Sequence, residues 1–278
     1  MPQNVKAKQT DFVASLAKGL EVLQCFNRDR PELTLSEVAE LTQITPAAAR
    51  RSLLTLQVLG FVTTHGRRFL LTPRVLRLSE AFLSSVSMQE VMQQFLQMAV
   101  DATGDSSSVA VLDGTEILYV ASVSAQRKLT PTIGTRYPAY CTSLGRAILA
   151  HSPTAVVDRV LGAEPPAKLT EHTETDPARI REKLALARET GITGIQDELA
   201  YAVVSVAMPI LDRQGVAIGA VNCSTSPLRT TMADMLTSRS AVLRDVRDRI
   251  SLALDQHPVL LHSVLGARRP VHDGAGPE

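Results

Sequence analysis

Hydrophobic positions recur with a helical period through the first sixty residues. Val13, Leu16, Leu20, Leu23 and Phe26 mark one apolar face; Leu35, Val38, Ala39 and Leu41 mark a second; Leu53, Leu56 and Leu59 mark a third. Thr34 stands where its hydroxyl caps the second helix, and Thr45 followed by Pro46 marks the start of the third. After Gly60 the period changes. Phe61–Thr64 and Arg67–Leu71 read as strands joined by a tight turn at His65–Gly66. Helix, helix, turn, helix and then a β-hairpin is the winged helix-turn-helix arrangement.

Thr72–Pro73 stops the hairpin and starts a new helix. Val75, Leu76, Leu78, Ala81, Phe82 and Leu83 make it more apolar than a free linker needs. It reads as a connecting helix that buries a face against a partner subunit, with burial against the chain's own second half as the alternative. Met88–Ala102 is amphipathic. Strands then follow at Ser107–Leu112 and Ile117–Ser122 around Asp113–Gly114, and Pro131–Cys141 reads as irregular. Thr142 or Ser143 opens a helix to near His151, a second ends near Leu161, and Pro177–Thr190 is a third. Strands at Ile192–Leu199, Val203–Leu211 and Ala217–Cys223 precede one long closing helix, Thr230–Leu254. An antiparallel sheet covered by helices is an α+β sensor layout. The division that follows is 1–72 for the winged domain, 73–87 for the connecting helix and 88–256 for the second domain. The Pro- and Gly-containing tail 257–278 reads as disordered.

Composition narrows the class. Of 278 residues 45% are hydrophobic and 21% charged, ordinary for a soluble globular protein, and the apolar runs break well short of a membrane span. No secretory signal precedes the first helix, so the expected compartment is the cytoplasm. The three cysteines lack C-x-x-C spacing, which argues against a zinc site or a disulfide framework. Net charge is +1, but it is uneven: through Ser85 there are 11 Lys/Arg against 7 Asp/Glu, and beyond it 18 against 21. A basic front on an acidic back suits a nucleic-acid module joined to something else.

The candidate chemistry begins at the third helix. Ala47, Ala48 and Ala49 keep its start slim, and Arg50 and Arg51 follow directly. One end suits a major groove and the other is anchored by leucines. The expected DNA-binding set is Thr45, Pro46, Ala47, Ala48, Arg50 and Arg51, with Arg67 and Arg68 at the wing tip. Two solvated surface pairs are the bland alternative, which has to invoke coincidence twice.

The second half shows no G-x-S-x-G, no phosphate loop and no H-E-x-x-H, and its His151, His172 and His257 are not spaced as metal ligands. No catalytic set, metal or cofactor is expected. Cys141, just before a helix, is either a nucleophile or a buried structural thiol, and no histidine is placed to pair with it. Backbone N–H groups near Thr142, Ser143 and Leu144 suit a carboxylate. Ser205, Asn222 and Ser224 either line a pocket with Cys141 and these residues or complete hydrogen bonds within the sheet; spacing alone leaves both open.

Ser15–Leu23 (S-L-A-K-G-L-E-V-L), Arg51–Val62 and Leu71–Leu78 in front, with Tyr140–Ala150 (Y-C-T-S-L-G-R-A-I-L-A) and Ser205–Gly215 behind, resemble the IclR-type transcriptional regulators. The A-A-A-R-R-x-L-L-T-L and Y-C-T-S-L-G-R forms resemble the branch typified by PcaU, PobR and PcaR, regulators of aromatic-acid catabolism through the β-ketoadipate pathway. The resemblance implies a winged helix-turn-helix domain, a connecting helix that dimerises, and a GAF-like α/β effector-binding domain. It also implies a homodimer or homotetramer on a palindromic double-stranded operator, released or engaged by a small organic acid. Carried over, the effector positions fall at Ser143, Leu144, Gln196, Ser205, Asn222 and Ser224. Three residues depart from the branch pattern D-Q-E-L-E-x-G-L-R-S: Gln196 for an acid, Ala202 for a glycine and Val204 for an arginine. Loss of that arginine removes a bidentate carboxylate partner. Pro46 also replaces a basic residue. The rival class is a small-molecule-binding protein or thiol enzyme whose front domain serves only dimerisation.

Overall fold

The computed structural model describes residues 12–27, 29–85, 88–125, 131–162 and 165–256, so the tail reading for 257–278 lies outside the described residues. They fall into two compact units divided after Ser85.

The first unit runs α1 (Ala14–Gln24), β1 (Glu32–Thr34), α2 (Leu35–Leu41), α3 (Pro46–Val58), β2 (Val62–His65), β3 (Arg68–Leu71), a short 3-10 turn and α4 (Leu76–Ser85). Its helix starts are chemically marked. Thr34 accepts from the Glu37 backbone N–H while the Glu37 carboxylate accepts from Thr34, a reciprocal capping box that opens α2. Thr45 caps α3 through the Ala48 N–H, and Pro46 occupies the first helical position. Val22, Phe26, Leu33, Val38, Ala49, Leu53, Leu56 and Val62 form the core. The three-residue β1 is an addition to the expected elements; it pairs with β3, Leu33 opposite Phe69, and makes the wing a three-stranded sheet in the order β1-β3-β2.

Several expected core positions are corrected. Leu16 is 62% exposed, and Val13 and Leu20 are exposed with it. Val22 lies about 160° around the helix from Leu20, so the apparent single period of α1 merged two faces, and only the Val22–Phe26 face is buried. No side chain caps α1, and Ser15, the first hydroxyl residue near its start, lies inside it. Leu59 is the residue after α3 ends and is 49% exposed; the core stripe is instead Ala49, Leu53 and Leu56. Leu41, at the end of α2, is exposed too. The side chains of Ala81, Phe82 and Leu83 lie outside those described.

In the second unit, α5 (Met88–Thr103), β4 (Ser106–Asp113), β5 (Glu116–Val123), β6 (Arg136–Pro138), α6 (Ser143–Ala150), α7 (Thr154–Gly162), α8 (Pro177–Thr190), β7 (Thr193–Gln196), β8 (Val204–Leu211), β9 (Ala217–Thr225), α9 (Met232–Ser238) and α10 (Ser240–Gln256) follow in order. The six strands form one antiparallel sheet, β6-β5-β4-β9-β8-β7. Alternation along each strand sends one set of side chains to each side. Val204, Val206, Met208 and Ile210 meet α5, α9 and α10; Ala207 and Ala220 meet α6. Small residues under α6 let that helix lie close to the sheet.

Two expectations change here. The stretch expected to be irregular contains β6, whose three residues pair with β5, and a 3-10 turn at Ala139–Cys141. The single closing helix is two, broken at Arg239. There the Arg239 guanidinium reaches back 2.7 Å to the fully buried Asp105 carboxylate at the α5–β4 junction, an interaction the apolar pattern does not reveal.

Candidate DNA-binding surface and effector site

The turn before α3 carries Gln43 at φ +54, a left-handed residue that redirects the chain between the two helices. From there Thr45, Pro46, Ala47, Arg50 and Arg51 are exposed and Ala48 half-buried. Arg50 and Arg51 lie on the side of α3 turned away from Ala49, Leu53 and Leu56. Neither guanidinium has a hydrogen-bond or ion-pair partner among the described residues. Two unpaired guanidinium groups near a slim, exposed helix start make a surface suited to phosphate and base edges.

At the wing, Gly66 turns the chain at φ +61 and Arg67 stands exposed beside it, without a partner among the described residues. Arg68 closes the same turn opposite His65, but its surroundings are different. It lies within β3, paired with Thr34 and His65. Its guanidinium meets Glu32 at 3.4 Å and Glu37 at 3.5 Å and donates to the Glu32 carbonyl at 3.4 Å. Thr34, through its N–H and hydroxyl, and then Arg68 hold the Glu37 carboxyl below the usual range.

In the second unit a polar cluster forms where α6 meets the sheet. Thr142 caps α6 by accepting from the Gly145 N–H at 3.1 Å. Gly145 is required there, since a Cβ would collide with the Ala139 carbonyl. Ser143 and Ser205 hydroxyls are 2.7 Å apart. Ser205 donates to the Cys223 carbonyl and accepts from the Asn222 amide at 3.1 Å, which leaves Ser143 as the donor in their pair. The Asn222 carbonyl oxygen accepts from the Ser108 N–H, and Ser108 and Ser122 hydroxyls meet at 2.9 Å. Ser143, Leu144, Ser205 and Asn222 are buried, and Ser224, half-buried, stands opposite Ser205 on the same face. Among the described residues nothing accepts from the backbone N–H of Ser143 or Leu144.

Gln196 is not brought to this cluster. It pairs with Val204 and so shares Val204's side of the sheet, where a Cβ on neighbouring Gly194 would meet Met232 of α9. The β7 residue facing the cluster is Ile195, opposite Ser205. Cys141 is buried, and burial pushes its thiol up to about 12, the reverse of an activated nucleophile. A small apolar void of about 10 Å³ lies on the far side of the sheet among Met92, Val109, Val111, Ile210, Ile218 and Leu254. It is far too small for an organic acid.

Beside the cluster lies a buried ion pair absent from the expectations. Arg146 donates through both terminal nitrogens to Glu198, at 2.7 and 2.5 Å, and through Nε to the Tyr140 carbonyl. Lys183 stands 3.6 Å from the same carboxylate, and the Glu174 N–H donates to it. All eight residues of α6 are buried, so an arginine in that apolar helix needed a partner, and that was the signal available.

The family model described as "Bacterial transcriptional regulator IclR C-terminal" matches residues 80–252, and the "IclR helix-turn-helix domain" matches residues 15–66. The chain is 36% identical to the Pca regulon regulatory protein of Pseudomonas putida, over 81% of this chain and 78% of the relative. It is 34% identical to the p-hydroxybenzoate hydroxylase transcriptional activator of Acinetobacter baylyi, over 86% and 91%. A solved transcriptional regulator of Rhodococcus sp. RHA1 superposes with a TM-score of 0.71 at 40% identity, over 88% of this chain and 99% of that one.

Proposed function

This chain belongs to the IclR family of bacterial transcriptional regulators, and we propose that the signal it reads is a small aromatic acid. It is a ligand-responsive DNA-binding regulator, and its relatives are regulators rather than enzymes. In this reading residues 1–72 bind DNA, 73–87 connect and dimerise, and 88–256 bind the effector. The aromatic reading is supported by the names of two relatives, one of the Pca regulon and one of p-hydroxybenzoate hydroxylase.

The observation that carries it is the uncharged cluster at the start of α6. Ser143, Ser205 and Asn222 offer hydroxyl and amide groups, and the Ser143 and Leu144 N–H groups offer unclaimed donors at a helix N-terminus. Arg146 is consumed by Glu198, and Val204 stands where a guanidinium is absent. A monocarboxylate with a second neutral polar group fits such a site better than a diacid. Cys141, Thr142 and Ser224 border it; Gln196, across the sheet, has no part in it. No helix among the described residues is long and apolar enough to cross a membrane, and the cytoplasm is the compartment this reading needs.

DNA contact is assigned in the same reading to Thr45, Pro46, Ala47, Ala48, Arg50, Arg51 and Arg67. Dimerisation is assigned to α4, whose Leu76 and Leu78 are 64% and 55% exposed, with pairing into a tetramer on a palindromic operator as the higher assembly.

A thermal-shift series with 4-hydroxybenzoate, protocatechuate and an aliphatic diacid tests the effector. Ligand at about a hundred times its Kd stabilises the folded state by about 2.7 kcal/mol, enough to raise the midpoint visibly. The aromatic monoacids are expected to shift it and the diacid to leave it unchanged. No shift with any of them would overturn the aromatic reading.

A further inference from the structure

We infer that Arg68 is a positioning residue for the wing rather than a contact to DNA. The inference rests on the reading that α3 and the wing bind a duplex, and it divides the wing's two arginines into different tasks.

Arg67 and Arg68 are neighbours in sequence, and charge alone would give both to phosphate. Their surroundings differ. Arg67 sits beyond the Gly66 turn with no partner among the described residues, free to follow a backbone. Arg68 is the first residue of β3 and is paired on both sides, with Thr34 of β1 and with His65 of β2 across the turn. Its side chain crosses β1 to Glu32 and reaches Glu37 on the first turn of α2. Glu37 is already bound to the Thr34 N–H and hydroxyl at 2.6 and 2.8 Å. One guanidinium therefore joins the turn end of the wing to the capping box of the helix that precedes the recognition helix.

Two carboxylates and a carbonyl already engage Nε and Nη1 of the guanidinium and oppose its charge before a phosphate arrives. A phosphate brought to it would also meet the negative charge of Glu32 and Glu37. What the arrangement does offer is a fixed angle between the hairpin and the α2–α3 pair. A hairpin twists easily on its own, so a clamp at its turn end decides where the neighbouring Arg67 sits.

The test is a double-mutant cycle read by DNA affinity and its salt dependence, using the full chain and a duplex it binds. Arg67→Ala should reduce the slope of log K against log salt by about one. Arg68→Ala should weaken binding similarly, because the wing loses its setting. In the Arg67→Ala background, Arg68→Ala should then change affinity by less than about twofold. A further fall of about one in slope in that background would show Arg68 on a phosphate of its own and overturn the inference.

Glu32→Gln supplies a second readout that a merely electrostatic role would move the other way. Removing an acid near DNA ought to strengthen binding if charge alone matters. Positioning through Arg68 requires it to weaken, and a strengthened complex would also overturn the inference. Failure of the unaltered protein to bind any duplex in low salt would instead overturn the DNA-binding reading itself, so the two failures are told apart.

Discussion

Arg146 and Glu198, 52 residues apart, are joined by a bidentate ion pair in which the two side chains are only 1% and 8% exposed. The pair ties the apolar helix α6 to the loop between β7 and β8. That loop is laced in turn to its neighbour, since Thr173 donates to the Glu198 carbonyl and Tyr201 accepts from the Glu171 N–H. The same helix start contributes Ser143 to the polar cluster, so the pair holds one wall of the proposed effector site.

Breaking the pair from one side should be far worse than removing it whole. Glu198→Gln leaves a buried guanidinium short of its counter-charge, and losses of about 3–5 kcal/mol are usual for such truncations. Lys183 loses one of its two carboxylate partners and keeps Glu174, 3.6 Å away. The double change Arg146→Met with Glu198→Leu should be less destabilised than Glu198→Gln alone in urea melts. A double change as costly as the two single changes summed would mean the two side chains act independently.

Ala202 carries a second, cheaper weakness. It sits at φ +61 in the β7–β8 loop, exposed. Left-handed backbone costs an L-residue about 1–2 kcal/mol, whereas glycine adds about 0.5–1 kcal/mol of unfolded-chain freedom. Strain relief wins narrowly. Ala202→Gly should raise stability by up to about 1 kcal/mol in denaturant melts, and Ala202→Val should lower it.

The buried thiols make alkaline pH destabilising. Cys141 and Cys223 are both pushed up from 9.0 to about 12, by burial first. The folded state then holds protons that the unfolded chain releases, so stability falls as pH rises. Their contribution is complete below pH 9 and disappears progressively between 9 and 12. Urea midpoints measured across that range should decline, and less steeply in Cys141→Ala. Thiol-alkylating reagents should leave both cysteines untouched in the folded protein at pH 8, which also separates a regulator from a thiol enzyme.

Much of this architecture was legible where chemistry punctuates it. Thr34 and Glu37 bound α2, and Asp176, Pro177 and the left-handed Gly191 bound α8, because caps and breakers act locally. What escaped depends on distance. β1 and β6 are three residues long and exist only through their partners. The break at Arg239 answers an aspartate 134 residues away, and Arg146 answers Glu198. Periodicity likewise named apolar residues of α1 without saying which face meets a core. The serines and asparagine of the polar cluster were legible as residues, but strand register decides their side of the sheet, and register placed Ile195 rather than Gln196 beside them.

Exposed leucines on α4 should report the oligomer. Wild-type protein in analytical ultracentrifugation should sediment as a dimer or tetramer, and Leu76→Ser with Leu78→Ser should shift it toward monomer while its thermal melt is little changed. A monomeric wild type at micromolar concentration would remove α4 from the interface.

The central claim is that one chain joins DNA recognition through α3 to the sensing of an organic acid. Fluorescence anisotropy of the protein on its own upstream duplex, with and without 4-hydroxybenzoate, tests both halves at once. The unaltered protein should bind in low salt, and the acid should change its affinity by about fivefold or more. Arg50→Ala or Arg51→Ala should abolish tight binding, and Ser143→Ala should keep binding while losing the response. Equal affinity with and without every aromatic acid tried, or Arg50→Ala and Arg51→Ala binding as tightly as wild type, would contradict the account.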